Sequence, residues 1–235
     1  MMEIYPAESR FEADHGWLNS KFSFSFAEYY DPNNMQFGVL RVLNDDIVQP
    51  KRGFGMHPHQ EMEIVSIVLK GWLQHEDSGG HKAVTTFGGV QRMSAGTGIF
   101  HSEINPSSEE AVNLLQLWFL PEVNGLTPSY EQTEYDIAKL KNNLLPVVTK
   151  NPTEAGIAHI HQDLTIYLSE LESGQSIKFN QKPGRKIIVF VLEGSLTLNG
   201  HSHLKRRDSA RMTEVTDLQI EALTKDSRFM LIDLP

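Results

Sequence analysis

The chain has 235 residues, of which 40% are hydrophobic and 22% are charged, as in ordinary globular proteins. Its 21 Lys and Arg and 30 Asp and Glu give a formal net charge of −9, which argues against binding nucleic acid through the phosphate backbone. It contains no cysteine, which excludes disulfides, thiolate metal ligands and catalytic thiols. We find no secretory signal or membrane-spanning segment, so we expect a cytoplasmic protein without membrane contacts.

Short alternating or apolar runs separated by turn residues predict a chain made mostly of β-strands. The strict alternation of Phe22–Phe26 is typical of a half-buried strand. Further strands are predicted at Gln36–Leu43, Glu63–Leu69, Gln116–Leu120, Leu164–Leu168, Lys186–Leu192 and Phe229–Leu234. One helix is predicted over Tyr130–Asn143, with Ser129 as its cap and with Ile137 and Leu140 as apolar positions.

An internal repeat suggests two copies of one β-barrel. The segments Ile67–Gly71 and Phe190–Gly194 are similar and lie 123 residues apart, and a second strand follows each. We therefore predict an N-terminal barrel over residues 1–125, a linker with the short helix over residues 126–150, and a C-terminal barrel over residues 151–235.

The most informative segment contains His57, Pro58 and His59 and ends at Glu63. Side chains alternate between the faces of a strand, so His57, His59 and Glu63 share one parity and are expected to point to one side. Pro58 favours extended geometry in the preceding residue. Two imidazoles held in this way can bind one metal ion.

A second segment supplies His101 and Glu103, which also share a parity and follow the turn-forming Gly96 and Gly98. Three histidines and one carboxylate suit Fe(II), Mn, Co, Ni, Cu or Zn and leave open positions on the metal. Glu63 and Glu103 are both candidates for the fourth ligand, and the spacing does not decide between them. The other carboxylate would then orient a histidine or be an ordinary strand residue.

The remaining histidines are better explained without a metal. His201 and His203 follow a turn and are expected at an exposed hairpin tip, and His159 and His161 are also interpreted as non-ligands. For His75 we expect a hydrogen-bonded structural role. Shifted by 123 residues, the positions of His57, His59 and Glu63 fall on residues that bind metals poorly. These residues are Asn180, Lys182 and Lys186, so we expect the second barrel to be metal-free.

Motifs over almost the whole chain resemble the pirin family of the cupin superfamily, and most closely its bacterial quercetinase-like members. They are His57–His59 with Glu63, His75–Asp77, Met93–Glu103, Gln116–Trp118, Pro128–Gln132, His161–Asp163, Leu198–Gly200 and Leu231–Pro235. One departure is Gly96, which stands where the general cupin motif has a proline; pirins share this departure.

The resemblance implies an all-β bicupin monomer with few short helices, built from two antiparallel jelly-roll β-barrels. It implies a metal in the N-terminal barrel alone, with His57, His59, His101 and Glu103 as ligands and Fe(II) as the metal. It also implies quercetin 2,3-dioxygenase activity, in which a planar flavonol is opened by O2 with release of CO. Glu103 would then act as the general base.

The alternative function is a non-enzymatic, iron-binding protein that responds to redox state and acts through a regulatory protein partner. Another cupin reaction, such as isomerisation of a small polar substrate, is a third interpretation, because a fold does not define a reaction. Four apolar residues flank the proposed ligands and are expected either to line the mouth of the site or to be ordinary core. They are Phe54, Met56, Met93 and Phe100.

Overall fold

A computed structural model describes all 235 residues. The chain forms two compact units, each built from segments that are separate in sequence. The N-terminal unit comprises Phe11–Tyr135 and Lys150–Gln162, and the C-terminal unit comprises Met1–Arg10, Asp136–Thr149 and Asp163–Pro235. Neither unit contains a helix that is long and apolar enough to cross a membrane.

The structure contains 22 strands and two short 3₁₀ helices, Ala7–Ser9 and Ile137–Leu140. The strands are β1 (Met2–Tyr5), β2 (Phe11–Asp14), β3 (Leu18–Phe22), β4 (Leu40–Val48), β5 (Gly53–His59), β6 (Glu63–Lys70), β7 (Trp72–Asp77), β8 (Lys82–Thr86), β9 (Gly89–Ser94), β10 (Ile99–Ile104), β11 (Val112–Phe119), β12 (Ser129–Glu134), β13 (Leu145–Thr149), β14 (Ala158–His159), β15 (Thr165–Leu171), β16 (Ser176–Asn180), β17 (Lys186–Glu193), β18 (Ser195–Leu198), β19 (Ser202–Lys205), β20 (Ser209–Thr213), β21 (Asp217–Ala222) and β22 (Ser227–Leu234).

The N-terminal unit is a pair of antiparallel sheets over a common core. The larger sheet has the order β12-β9-β6-β11-β4-β3-β2, and the smaller has the order β5-β10-β7-β8. Leu18, Val48, Val68 and Leu114 of the larger sheet pack with Leu73 of the smaller one. Burial of these side chains between the sheets is the main favourable term that holds them together.

The C-terminal unit repeats this arrangement. Its larger sheet contains the neighbours β1-β20-β17-β22-β15-β13, and its smaller sheet has the order β16-β21-β18-β19. Val189 and Leu231 of the larger sheet share one core with Leu196, Leu218 and Ile220 of the smaller. The predicted all-β bicupin architecture is thus confirmed, although each unit is a two-sheet jelly roll and not a continuously hydrogen-bonded barrel.

The predicted helix at Tyr130–Asn143 is wrong over most of its length. Residues Ser129–Glu134 form β12, which pairs with β9, and only Ile137–Leu140 forms a 3₁₀ helix. Its cap is Asp136, whose side chain accepts a hydrogen bond from the Ala138 amide, and not Ser129. Pairing with a sheet edge overrode the weak helical pattern, which local sequence alone does not reveal.

The bounds of the two units differ from the single linker predicted over residues 126–150. The first strand, β1, pairs with β20 and so belongs to the C-terminal unit, while β12 pairs with β9 in the N-terminal unit. The strand expected at Phe22–Phe26 is also displaced, because only Phe22 lies in β3, which pairs with β4.

The pairing of β5 with β10 depends on Gly53. A Cβ atom at this position would overlap the backbone oxygen of Glu103 and lie 2.5 Å from the Cα atom of Ile104. Two residues further along the same strand, Gly55 has open space around the equivalent position. The two strands therefore approach closely at one end, next to Glu103, only because residue 53 lacks a side chain.

We expect Gly53→Ala to lower the free energy of unfolding of the N-terminal unit by about 2–4 kcal/mol, because backbone atoms must move to admit the methyl group. Gly55→Ala is the matched control and should change it by less than about 1 kcal/mol. Urea unfolding followed by tryptophan fluorescence measures this unit specifically, because Trp17, Trp72 and Trp118 all lie in it. Equal stability of the two variants would contradict the steric role of Gly53.

Candidate metal centre

Three histidines converge where β5 pairs with β10. His57 lies directly opposite His101 in the register of the two strands, and His59 lies two residues further along β5 on the same face. The ring centroids are 4.5 Å apart for His57 and His101, and 4.8 Å apart for each of the other two pairs. One nitrogen from each ring lies within 4.8 Å of the others.

The backbone orients the His57 ring. Its Nδ1 atom lies 2.7 Å from the carbonyl oxygen of Gly55. A carbonyl oxygen can only accept, so Nδ1 carries the proton and Nε2 presents a lone pair. Such a hydrogen bond to the remote nitrogen is the usual way in which proteins orient a metal-binding imidazole.

A buried chain of hydrogen bonds orients His101. Asp77 Oδ2 lies 2.9 Å from His75 Nε2, and His75 Nδ1 lies 3.4 Å from His101 Nδ1. The carboxylate accepts from His75 Nε2, which leaves His75 Nδ1 to accept from His101 Nδ1. His101 therefore presents its Nε2 lone pair to His57. Tyr130 stacks on the His75 ring at a centroid distance of 4.0 Å and holds it in place.

The rings of His59 and His101 are neutral. Burial, followed by the neighbouring His57, lowers the pKa of His59 to about 4. Burial, followed by His59 and His57, lowers the pKa of His101 to about 2. Neutral imidazole is the form that binds metals.

The donor set fits a metal cation. The Nε2 atoms of His57 and His101 lie 3.1 Å apart, and both present lone pairs, so neither can donate a hydrogen bond to the other. This separation is compatible with two nitrogen atoms each about 2.0–2.1 Å from one ion. A cation would convert the repulsion between the two lone pairs into attraction.

Glu103 lies on β10 and is buried close to His101, in the wall of the same cavity as the three histidines. One of its oxygens lies within 4.8 Å of ligand atoms of His75 and His101. Ser66 Oγ donates to its Oε1 at 2.8 Å, and Gln116 Nε2 donates to its Oε2 at 2.7 Å. Burial raises the pKa of this carboxyl, and the two hydrogen bonds act against that rise. Ser66 and Gln116 interrupt apolar strands, which is the only sequence signal that could have revealed them.

The structure separates Glu63 from the predicted site. A turn with positive φ at Glu61 intervenes between β5 and β6, so the strand parity shared with His57 and His59 does not continue to Glu63. The Glu63 carboxylate instead accepts from Ser94 Oγ at 2.7 Å and lies 3.2 Å from His161 Nδ1. The expectation that Glu63 and the two histidines point to one side is therefore wrong.

The other histidines occupy separate environments. The hydrogen-bonded structural role predicted for His75 is confirmed by its contact with Asp77. His201 and His203 are exposed on the hairpin between β18 and β19, also as predicted. In the second half, Asn180 ends β16, and the Lys186 ammonium donates to the carbonyl of Pro235. The absence of a metal from the C-terminal unit stays a prediction.

A cavity of about 450 Å³ opens beside the three histidines. Its wall is rich in aromatic side chains: Trp17, Phe22, Phe26, Phe54 and Trp118. Of the four apolar residues expected near the ligands, only Phe54 lines this cavity. Met93 packs in a separate buried cluster, whereas Met56 and Phe100 are more than half exposed.

The cavity also contains a second buried carboxyl, that of Asp46 on β4. Ser20 Oγ donates a short hydrogen bond to Asp46 Oδ1. Burial is the main cause that raises the pKa of Asp46 to about 7, and the negative charges of Asp45 and Glu103 add to it. Asp46 was not among the residues selected from the sequence, where the Asn44–Asp46 run gives no sign of which side chains point inward.

Comparison with known proteins gives full-length matches. The family model described as Pirin matches residues 5–119, and the one described as Quercetinase C-terminal cupin domain matches residues 147–234. The chain is 41% identical to a quercetin 2,3-dioxygenase of Escherichia coli K12. The alignment spans 235 residues and covers 100% of this chain and 99% of the relative. It is 35% identical to a putative quercetin 2,3-dioxygenase of Pseudomonas aeruginosa, in an alignment of 234 residues that covers 100% of both chains.

Solved structures agree with these matches. The crystal structure of YhhW from Escherichia coli superposes with a TM-score of 0.95 at 40% identity and covers 100% of this chain and 98% of that chain. A second crystal structure, of the bacterial pirin YhhW in complex with nickel(II), has a TM-score of 0.94 at 40% identity and covers 100% and 99%.

Asp46 should make the stability of the N-terminal unit depend on pH. Because its pKa rises from 3.8 to about 7 on folding, the folded state retains a proton that the unfolded state releases. This contribution is complete below pH 3.8 and is lost as the pH rises towards 7, a difference of up to about 4 kcal/mol. Asp46→Asn should therefore become more stable relative to the wild type between pH 4 and pH 8.

Urea unfolding followed by tryptophan fluorescence across this range measures the difference. Asp45→Asn is the matched control, because Asp45 is adjacent on β4 and its side chain accepts a hydrogen bond from Asn113. Since burial is the larger cause of the raised pKa, the control should keep most of the wild-type pH dependence. A constant difference between Asp46→Asn and the wild type would show that Asp46 is ionised throughout.

Proposed function

This chain belongs to the pirin family, and we propose that it is a metal-dependent quercetin 2,3-dioxygenase, which opens the central ring of a flavonol with O2 and releases CO. The observation that carries the proposal is the convergence of three imidazole nitrogens on an aromatic-lined cavity. The volume of about 450 Å³ lies within the range of about 300–1,000 Å³ that is typical of small-molecule sites. A flat polyphenol suits a wall of this kind.

We propose His57, His59, His101 and Glu103 as the ligands and Fe(II) as the native metal. The donor set also suits Mn, Co, Ni, Cu and Zn, and the related bacterial pirin has been crystallised with nickel(II). A divalent ion bound here supplies Lewis-acid chemistry, which lowers the pKa of an enol hydroxyl placed against it. The hydrogen bonds that His57 donates to the Gly55 carbonyl and that His101 donates to His75 keep the required nitrogens directed to one point.

Glu103 is the group that we propose removes the proton of the substrate 3-hydroxyl. Its two oxygens each accept one hydrogen bond, from Ser66 and Gln116, and each oxygen retains a lone pair for a proton. Burial raises the affinity of this carboxyl for a proton, which suits a general base. Ser66 and Gln116 keep the carboxylate from rotating away from the substrate.

The aromatic wall would hold the substrate and exclude water. Phe26 packs edge-on against Phe22 and Trp118, with centroid distances of 5.2 and 5.4 Å. Trp118 also packs edge-on against His59 at 4.8 Å, which links the wall to the proposed ligands. A dry site strengthens the electrostatic interactions between Glu103 and the substrate and suppresses side reactions of the opened ring.

We further propose that the protein acts as a cytoplasmic monomer.

His57→Ala and His101→Ala should each lose most of their bound metal, because two imidazoles hold a divalent ion far more weakly than three. Elemental analysis of protein purified without oxygen measures the metal content per chain. The double variant His201→Ala, His203→Ala removes a histidine pair of the same spacing from an exposed hairpin and should retain the wild-type content. Wild-type metal content in both single variants would rule out this site.

The wild-type protein loaded with Fe(II) should consume O2 and release CO when quercetin is added. Glu103→Gln should lower kcat per bound metal by about 100-fold or more, because the amide cannot accept the hydroxyl proton. Oxygen-electrode and CO measurements, repeated with each of the other five metals, test the reaction and the choice of metal. Failure of every metal-loaded form to oxidise any flavonol would refute the proposed activity.

A further inference from the structure

The cavity wall carries a polar patch apart from the histidines, formed by Ser20, Asn44 and Asp46. All three side chains are at most 3% exposed. Ser20 and Asp46 are cross-strand partners, and Ser20 Oγ donates to Asp46 Oδ1. Asn44 Oδ1 is buried and has no hydrogen-bond partner in the protein. The patch therefore combines a carboxyl group with an unused acceptor, in a cavity whose other walls are mainly aromatic.

The patch lies at a defined place relative to Glu103. Asn44 is the cross-strand partner of Gln116, which donates to the Glu103 carboxylate. Asp46 is two residues further along β4, about 6.6 Å at the usual rise of a strand. A ligand with one oxygen at Glu103 and a second, distant hydroxyl could therefore contact both Glu103 and the patch.

No Lys or Arg lines this cavity, so the patch does not resemble a site for a phosphate or a carboxylate ligand. The carboxyls of Asp45 and Glu103 act electrostatically on Asp46 and would repel an anion further. A neutral hydroxyl group meets neither objection. Asp46 can hydrogen-bond a hydroxyl in either protonation state, because the acid donates or accepts and the carboxylate accepts.

We propose that Asp46 and Asn44 bind a hydroxyl group of the substrate that lies away from the reacting enol, and so select polyhydroxylated aromatic substrates; this rests on the proposed function. When Asp46 is protonated, it donates to the hydroxyl oxygen and Asn44 Oδ1 accepts the hydroxyl proton; when Asp46 is ionised, its carboxylate accepts that proton instead. An unsubstituted ring leaves Asn44 Oδ1 without a partner and Asp46 with Ser20 alone, which disfavours substrates that lack the hydroxyl. Asp46 and Asn44 are positioning residues and not part of the reacting centre.

The test compares quercetin, galangin, which lacks hydroxyls on its pendant ring, and 3-hydroxyflavone, which keeps only the reacting hydroxyl. Dissociation constants are measured by calorimetry on the metal-loaded protein without oxygen. For Asp46→Leu we expect quercetin to bind about tenfold more weakly and 3-hydroxyflavone to bind within about twofold of the wild type. Galangin shows which ring carries the recognised hydroxyl: a loss like that of quercetin assigns it to the fused ring, and no loss assigns it to the pendant ring.

Two further variants protect the test against indirect effects. Asp46→Asn keeps a donor and an acceptor at the same place and should lose about threefold or less in quercetin affinity. Asp45→Asn removes the same charge from the adjacent residue of β4 and should not alter the preference between the flavonols. Thermal unfolding checks that all three variants are folded.

Equal losses for quercetin and 3-hydroxyflavone in Asp46→Leu would overturn the proposal, since they would indicate a purely structural role. Unchanged binding of all three ligands would also overturn it. In either case turnover of quercetin by the wild type would leave the proposed activity intact. If the wild type neither binds nor oxidises any flavonol, the activity and the specificity proposal fail together.

Discussion

The pairing of β5 with β10 is the constraint on which the site depends. It places His57 directly opposite His101, and it requires Gly53 at the point where the two backbones come closest. The register of this pairing shifts between His101 and Glu103. Such irregularities redirect side chains, and here they occur between two of the four proposed ligands. The alternation of a strand brings the histidines together, and hydrogen bonds to their remote nitrogens then set which atom each presents.

The interior of the N-terminal unit departs from an apolar core along one row of residues. Asn44, Gln116, Ser66 and Gln91 are successive cross-strand neighbours on the inward face of the larger sheet. Buried polar groups destabilise a fold unless they are paired, so a row of them at the centre of a sheet lowers the stability of the unit. We attribute the presence of this row to function. Two members of the row, Ser66 and Gln116, donate hydrogen bonds to the Glu103 carboxylate, which connects the row to the proposed chemistry.

The sequence predicted the kind of fold and the place of the site because both depend on local patterns. Short alternating or apolar runs between turn residues correctly located most of the central strands, and two His-containing segments in strands were enough to bring His57, His59 and His101 together. The same reasoning failed for Glu63, because one residue with positive φ at Glu61 ended the strand on which the parity argument rested. It also failed for Tyr130–Asn143, where pairing with β9 decided the conformation. The contribution of β1 to the C-terminal unit depends on a contact with β20 more than 200 residues away, and no local pattern encodes it.

No Lys or Arg lines the cavity, and this absence accounts for the electrostatics of its two buried carboxyls. Glu103 and Asp46 are buried in the same cavity, and burial raises the pKa of both because no fixed cation compensates them. The imidazoles of His75 and His101 lie close to Glu103, and nitrogens of His57, His59 and His101 converge on one point, where they can attract a cation from solution. On this view a metal would balance the charge of Glu103, whereas Asp46, further along β4, has a pKa raised to about 7 and can hydrogen-bond a hydroxyl group in either protonation state.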